Sequence, residues 1–161
     1  MSEKINENSC RKIEDIINEV LIGDTLKNAL DFTAFLENND MIAGGEHGEV
    51  SYKGKCVCYM HLGGSTQKPD PWTIWIDGNY NDEQEDISIN THTKELAWAN
   101  VNICTSCGCG SQPGKRKIIF GKEFDNVCNA DMAFYAPDSQ TLECVKQLLI
   151  MRKSLIDKNK V

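Results

Sequence analysis

The 161-residue chain has no apolar run that approaches the roughly 20 residues needed to cross a bilayer as a helix. Its first ten residues, MSEKINENSC, are polar and mixed in charge, and they lack the apolar segment and the small-residue cleavage site of an export signal. These absences argue against a membrane partner and predict a cytoplasmic protein.

Familiar catalytic and nucleotide-binding motifs are also missing. There is no G-x-S-x-G stretch for a serine hydrolase, and the segment 63–68 lacks the GK[ST] ending of a phosphate-binding loop. Gly108-x-Gly110 does not follow a predicted strand, as a dinucleotide fingerprint would. The three histidines, at 47, 61 and 92, are too scattered to predict a histidine zinc triad, although any of them could replace a thiolate ligand. No reaction therefore follows from a motif.

Positive charge is scarce, with 17 basic against 24 acidic residues and a net charge of −7. Such a chain repels phosphate backbones, so we expect no nucleic-acid partner, and only the local basic patch over 115–122 runs against this. The apolar fraction of 40% and charged fraction of 25% are those of an ordinary globular domain.

Hydrophobic periodicity predicts helices towards both ends of the chain and strands between them. The predicted helices cover residues 9–22, 24–37, 94–103 and about 137–156, and the predicted strands cover 50–52, 56–62, 72–77, 86–89, 117–120 and 127–135. Strands bracketed by helices favour an α+β fold, an antiparallel sheet with helices packed on one face. We expect residues 1–23 to form an N-terminal amphipathic helix and 24–161 a single domain.

The main chemical signal is a cysteine-rich loop, CTSCGCGSQPG, between a predicted helix and a predicted strand. Cys104, Cys107 and Cys109 fall within six positions, and Cys128 follows in a later strand. The glycines allow the backbone to wrap around an ion, and zinc usually takes four such ligands. In a reducing compartment these thiols are metal ligands, reactive groups or buried apolar residues, so the leading prediction is a zinc-binding, non-enzymatic domain.

Other interpretations of the same cysteines remain open. Thiols without a metal, an iron–sulfur cluster and copper chemistry are the alternatives, although the spacing matches neither common ferredoxin pattern. A thiol-dependent oxidoreductase or other cysteine enzyme would use Cys104 and Cys107 as a C-x2-C pair, with Lys115 and Arg116 lowering a thiol pKa. Against this, Cys104 follows a predicted helix, and the dipole at a helix C-terminus disfavours a thiolate.

Aromatic residues in two predicted strands suggest a second site. If Tyr59, His61 and Trp75 share one face of the sheet, they form an aromatic surface suited to a flat, hydrophobic small molecule. The competing interpretation is that such residues are ordinary cross-strand pairs. A further hypothesis takes the N-terminal helix as the contact of a homodimer.

The segments GKCVCYMHLGG, PWTIW, AWANVNICTSCGCG and PGKRKIIFGKEFDNVC, with the closing Pro137 helix, resemble a group of small bacterial cysteine-rich proteins that has no assigned activity. Over about residues 24–155 the order of elements is distantly similar to gyrase-inhibitor-like effector-binding domains. That resemblance implies a curved antiparallel sheet that holds hydrophobic small molecules. This chain departs from it in two respects, since it has the cysteine loop and no placeable ligand carboxylate.

Overall fold

A computed structural model of the chain describes residues 13–44, 48–63, 71–76, 89–104 and 114–158. Residues 13–20 are helical and are named α1 here. The remaining elements are α2 (Gly23–Asn38), β1 (Glu49–Tyr52), β2 (Lys55–Leu62), β3 (Trp72–Ile76), α3 (Thr91–Ala99), β4 (Val101–Ile103), β5 (Lys115–Ile119), β6 (Lys122–Tyr135) and α4 (Ser139–Asp157). The predicted strand over 86–89 falls almost entirely outside the described residues.

The six described strands form one antiparallel sheet in the order β1-β2-β3-β6-β4, and β5 also pairs with β6. The α+β class predicted from the sequence is therefore confirmed. The 14-residue strand β6 organises the sheet, because its C-terminal part pairs with β3 and its N-terminal part pairs with β5. Strand β4 runs along the opposite edge of β6.

One face of the sheet belongs to the main apolar core. Cross-strand partners share a face, and the rows that join Met60 to Ile74 and Ile74 to Phe134 are buried throughout. Helix α2 contacts this face where the rings of Phe32 and Trp72 lie 6.0 Å apart. The same buried cluster contains residues of α1, α2, α3 and α4. Burial of apolar side chains on this face therefore stabilises the sheet, since it is the dominant favourable contribution to folding.

The helix predicted over 94–103 is wrong at its C-terminal end. Helix α3 ends at Ala99, where the Asn100 side chain donates a hydrogen bond to the Leu96 carbonyl at 2.7 Å. The next residues, from Val101 to Ile103, form strand β4. Because β-branched residues at alternate positions favour strand, a strand and not a helix leads into the cysteine loop.

The loop predicted over residues 121–126 is also wrong, since β6 already begins at Lys122. Phe120 and Gly121 alone turn the chain, with φ of 49° and 83°. Two consecutive residues with positive φ make the type I′ turn that matches the twist of a hairpin. Asp125 and Asn126 lie inside the strand, although both residue types also favour turns.

None of the described helices is both long enough and apolar enough to cross a membrane. In α1, Ile17 is fully buried in the main core, whereas Ile16 and Val20 are 38% and 48% exposed. The homodimer contact through the N-terminal helix stays a prediction.

Candidate functional site

Both ends of the cysteine-rich loop meet at one side chain, that of Asn126. Its Nδ2 donates to the Cys104 carbonyl at 2.9 Å, and its Oδ1 accepts from the Gly114 N–H at 2.9 Å. The Cys104 N–H in turn donates to the Asn126 carbonyl at 2.7 Å. Residues 105–113 lie outside the described residues, but the positions from which they leave and return are fixed. We call this arrangement the Asn126 clamp.

The backbone geometry explains why these residue types occupy the clamp. Asn126 has φ of 58°, a left-handed conformation that asparagine adopts more readily than most residues. It lies at a bulge, because Lys115 pairs with Val127 whereas Lys117 pairs with Phe124. A Cβ at Gly114 would lie 2.5 Å from the Asn126 backbone, so only glycine fits beside the clamp.

Two of the four predicted metal ligands can be placed. Ile103 pairs with Val127, so Cys104 lies opposite Asn126. Cys128 is two positions further along β6, in the segment where regular pairing with β4 is interrupted.

The other two predicted ligands, Cys107 and Cys109, lie outside the described residues. Within the part of the chain that is described, no three histidine, cysteine or acidic side chains converge as a metal site would require. Cys104 is 7% exposed and Cys128 is half-buried, so the thiols flanking the clamp are sheltered but not sealed in the core.

The part of β6 that follows the clamp is irregular on both edges. Along β4, Val101 pairs with Met132 but Ile103 with Val127, so β6 carries three extra residues between these pairs. On the opposite edge, the pairing with β5 ends at Val127 and that with β3 begins at Met132. We call residues 128–131 the β6 bulge, and such bulges are enriched beside functional sites.

Side chains hold the β6 bulge where regular strand pairing is interrupted. The Lys117 ammonium donates to the Cys128 carbonyl at 3.2 Å and forms an ion pair with Asp131, whose side chain is 3% exposed. From the other edge, Asn102 donates to the Ala130 carbonyl at 3.2 Å. The backbone that carries Cys128 is thus positioned by a lysine.

Two further cysteines, Cys58 and Cys144, are buried in the main core. Burial raises the pKa of the Cys144 thiol to about 11, and the thiol contacts the Thr93 carbonyl at 3.5 Å. Burial, with a smaller contribution from Cys56, raises the pKa of Cys58 still further. Since the thiolate is the reactive and metal-binding form, Cys58 and Cys144 serve as small apolar residues.

The three residues of the predicted aromatic surface share one face of the sheet. Tyr59 pairs directly with Trp75, and His61 pairs with Thr73 on the neighbouring row. Tyr59 and Trp75 are half-buried, and the indole nitrogen of Trp75 is buried without a hydrogen-bond partner among the described residues. The register therefore puts Tyr59, His61 and Trp75 on one face of the sheet, which was the condition for the predicted surface, and the Trp75 indole N–H has no acceptor among the described residues.

Sequence reasoning missed three residues that shape the site: Asn126, Lys117 and Asp131. The available signal was an asparagine inside a run of strand-forming residues, which marks a left-handed backbone position as well as it marks a loop. Lys117 and Asp131 are 14 positions apart, and nothing local in the sequence links them.

No protein-family model, curated protein or solved structure matches this chain.

Proposed function

We propose that the chain is a metal-binding domain that holds one zinc ion through Cys104, Cys107, Cys109 and Cys128. The observation that carries the proposal is the Asn126 clamp, which closes the ends of a thiol-rich loop beside the strand that bears Cys128. Four thiolates are a standard ligand set for structural zinc.

The clamp favours metal binding because it restricts the conformations of the loop. Cys104 and Gly114 are held by one side chain, so the two ends of the loop stay together even without metal. A loop that is already closed loses less conformational entropy when its thiolates converge on an ion. Lys117, whose ammonium donates to the Cys128 carbonyl, helps to fix the backbone that carries the fourth proposed ligand.

The same geometry makes the thiol oxidoreductase the weaker alternative. Reactive thiols of C-x2-C enzymes lie accessible at a helix N-terminus, where the dipole stabilises the thiolate. Cys104 follows strand β4 and is only 7% exposed. This position suits a ligand that is fixed in place better than a nucleophile that must meet a substrate.

Metal content measured with matched cysteine variants tests the proposal. Protein purified without added metal should contain about one zinc per chain. We expect Cys128→Ser to lose most of that zinc, and Cys56→Ser, at an equally half-buried strand position away from the loop, to keep it. Wild-type protein that is fully folded and metal-free, or equal zinc content in the two variants, would remove the proposal.

A second function, supported by a separate observation, is the binding of a flat aromatic molecule on the surface of Tyr59, His61 and Trp75. The buried indole N–H of Trp75 has no acceptor among the described residues, and a ligand carbonyl would supply one. Such a molecule would stack on rings that the strand register already holds side by side.

Two probes of similar shape distinguish this function from nonspecific hydrophobic binding. Coumarin carries a carbonyl acceptor and naphthalene does not, so we expect the wild-type protein to bind coumarin more tightly. Trp75→Phe keeps an aromatic ring but removes the N–H, and it should abolish that preference. If the preference is absent from the wild-type protein, or survives in Trp75→Phe, this second function is wrong.

A further inference from the structure

One charged side chain, Arg152, lies in the middle of the otherwise apolar stripe that α4 buries. One turn before it the stripe presents Leu148 and Leu149, and one turn after it Leu155 and Ile156, all of them buried. Arg152 itself is only 7% exposed. Its guanidinium therefore lies among apolar groups and almost out of contact with water.

Two of the three guanidinium nitrogens find no partner in the described part of the fold. Nε and Nη1 of Arg152 are both buried and have no hydrogen-bond partner among the residues that the structure describes. Arginine does not lose its charge in proteins. A buried, unpaired charge is strongly unfavourable. In native proteins such a group is normally hydrogen-bonded to a bound ion, water or ligand.

Nearby carboxylates are engaged elsewhere. Asp157 follows Arg152 by five positions, which places it roughly 140° around the helix, and it accepts a hydrogen bond from the Tyr52 hydroxyl at 2.7 Å. Across the α2–α4 contact, Asp31 pairs with Lys146 at 2.6 Å. The described part of the chain therefore shows no acid that neutralises Arg152.

We propose that Arg152 binds the carboxylate of a small apolar carboxylic acid against the buried face of α4. The planar fork of a guanidinium matches a carboxylate in shape and hydrogen-bonding geometry. One carboxylate neutralises one arginine, whereas a phosphate dianion would leave excess negative charge among the leucines. The flanking residues Leu148, Leu149, Leu155 and Ile156 suit an apolar body.

The site contains none of the residues of the zinc proposal or of the aromatic surface. It lies on α4, whereas the clamp lies on β6 and the aromatic surface on β2 and β3. A failed metal analysis would leave the acid site untouched, and a failed acid titration would leave the zinc proposal untouched.

Calorimetry and thermal unfolding of the full chain test the site with acetate, hexanoate, benzoate and inorganic phosphate. We expect hexanoate or benzoate to bind more tightly than acetate, because their apolar bodies are buried as well. The melting temperature should rise by about 5–10 °C at roughly 100 times Kd. Native mass spectrometry of the protein as purified would reveal an acid that is already bound.

Two neighbouring substitutions provide the matched comparison. Arg152→Met removes the buried charge at similar length, and it should weaken binding of the acid by roughly 30-fold or more. Without ligand it should melt no lower than the wild type, since an unpaired buried charge has been removed. Lys153→Met removes the same charge from the adjacent residue, whose ammonium lies 5.2 Å from the Tyr52 ring, and should leave the affinity within about twofold.

Four results would overturn the acid site. The first is a wild-type protein that carries no bound acid and responds to none of the added acids. The second is equal affinity in Arg152→Met, and the third is phosphate binding as tight as that of benzoate. The fourth combines two observations. Arg152→Met melts much lower than the wild type or does not fold, and Arg152→Lys, which keeps the charge but loses the planar guanidinium fork, folds and binds the acids as tightly as the wild type.

Discussion

The two halves of the sheet are held together in different ways. Strands β1, β2 and β3 lie in a nearly regular ladder whose inner face is part of the apolar core. Around β4, β5 and the first part of β6, side chains of Asn102, Lys117 and Asn126 bond to backbone that has left the ladder. Apolar burial tolerates many sequences of similar volume, whereas side-chain clamps need particular residues. We therefore expect the identity of individual residues to matter more in the irregular half, which carries the proposed metal site.

The largest expected effect is in the regular half. Phe134→Ala removes a fully buried ring paired with Ile74, and we expect it to lower the free energy of unfolding by about 3–5 kcal/mol. Phe124→Ala, at a half-buried position in the irregular part of the same strand, should lower it by only about 1 kcal/mol. Urea unfolding of both variants measures this difference, and equal losses would mean that the two halves share one kind of packing.

A smaller but still substantial effect is expected at the β6 bulge. Lys117→Met leaves the carboxylate of Asp131 buried without its lysine, and we expect this to lower the free energy of unfolding by about 2–3 kcal/mol. This is less than the loss for a fully buried pair, because the Lys117 side chain is 25% exposed. The control is Arg116→Met, since the pair of Arg116 with Glu123 is exposed and should contribute less than about 1 kcal/mol.

The double variant Lys117→Met/Asp131→Asn should recover part of the loss, because it also removes the buried charge that has lost its lysine. If Lys117→Met were no more destabilising than Arg116→Met, the ion pair would be a surface contact and the β6 bulge would be held by other means.

The sequence predicted the regular half well and the irregular half poorly. Alternation of apolar and polar residues is a local property, so the strands around Ile74 and Met60 followed from it. The course of β6 through Asn126 did not, because asparagine marks both loops and strand bulges.

The side-chain interactions that hold the β6 bulge could not be predicted from the sequence, for a second reason. Lys117 and Asp131 become partners only after β5 and β6 have paired. Interactions that depend on the completed fold leave no local pattern, and the clamp and the bulge are made of such interactions.

The Asn126 clamp provides a more selective test of the irregular half. Asn126→Gly keeps the left-handed backbone but loses both side-chain hydrogen bonds, which should lower stability by about 1–2 kcal/mol. Asn126→Asp keeps an acceptor for the Gly114 N–H and should lose about half as much.

Amide hydrogen exchange locates the effect of each substitution. In Asn126→Gly the Gly114 amide should exchange faster, whereas the Cys104 amide, which donates to the Asn126 backbone carbonyl, should stay protected. A Gly114 amide that exchanges at the same rate in all three proteins would show that the side chain does not hold the end of the loop.

The smallest expected effect concerns a side-chain tie in the regular half, between Asp157 of α4 and the β1–β2 turn. Hydrogen bonds from Lys53 and, to a smaller extent, Tyr52 lower the pKa of Asp157 below its ordinary value of 3.8. A carboxylate whose pKa is lowered by folding stabilises the protein above the unfolded pKa of about 3.9, and this contribution is lost as the pH falls through the folded value.

The melting temperature of Asp157→Asn should therefore lie slightly below that of the wild type at pH 7, and the two should converge below about pH 4. A gap that widens on acidification would contradict this sign. A gap at pH 7 as large as that of Lys117→Met would show that the regular half also depends on particular side-chain ties, and the distinction between the two halves would then be lost.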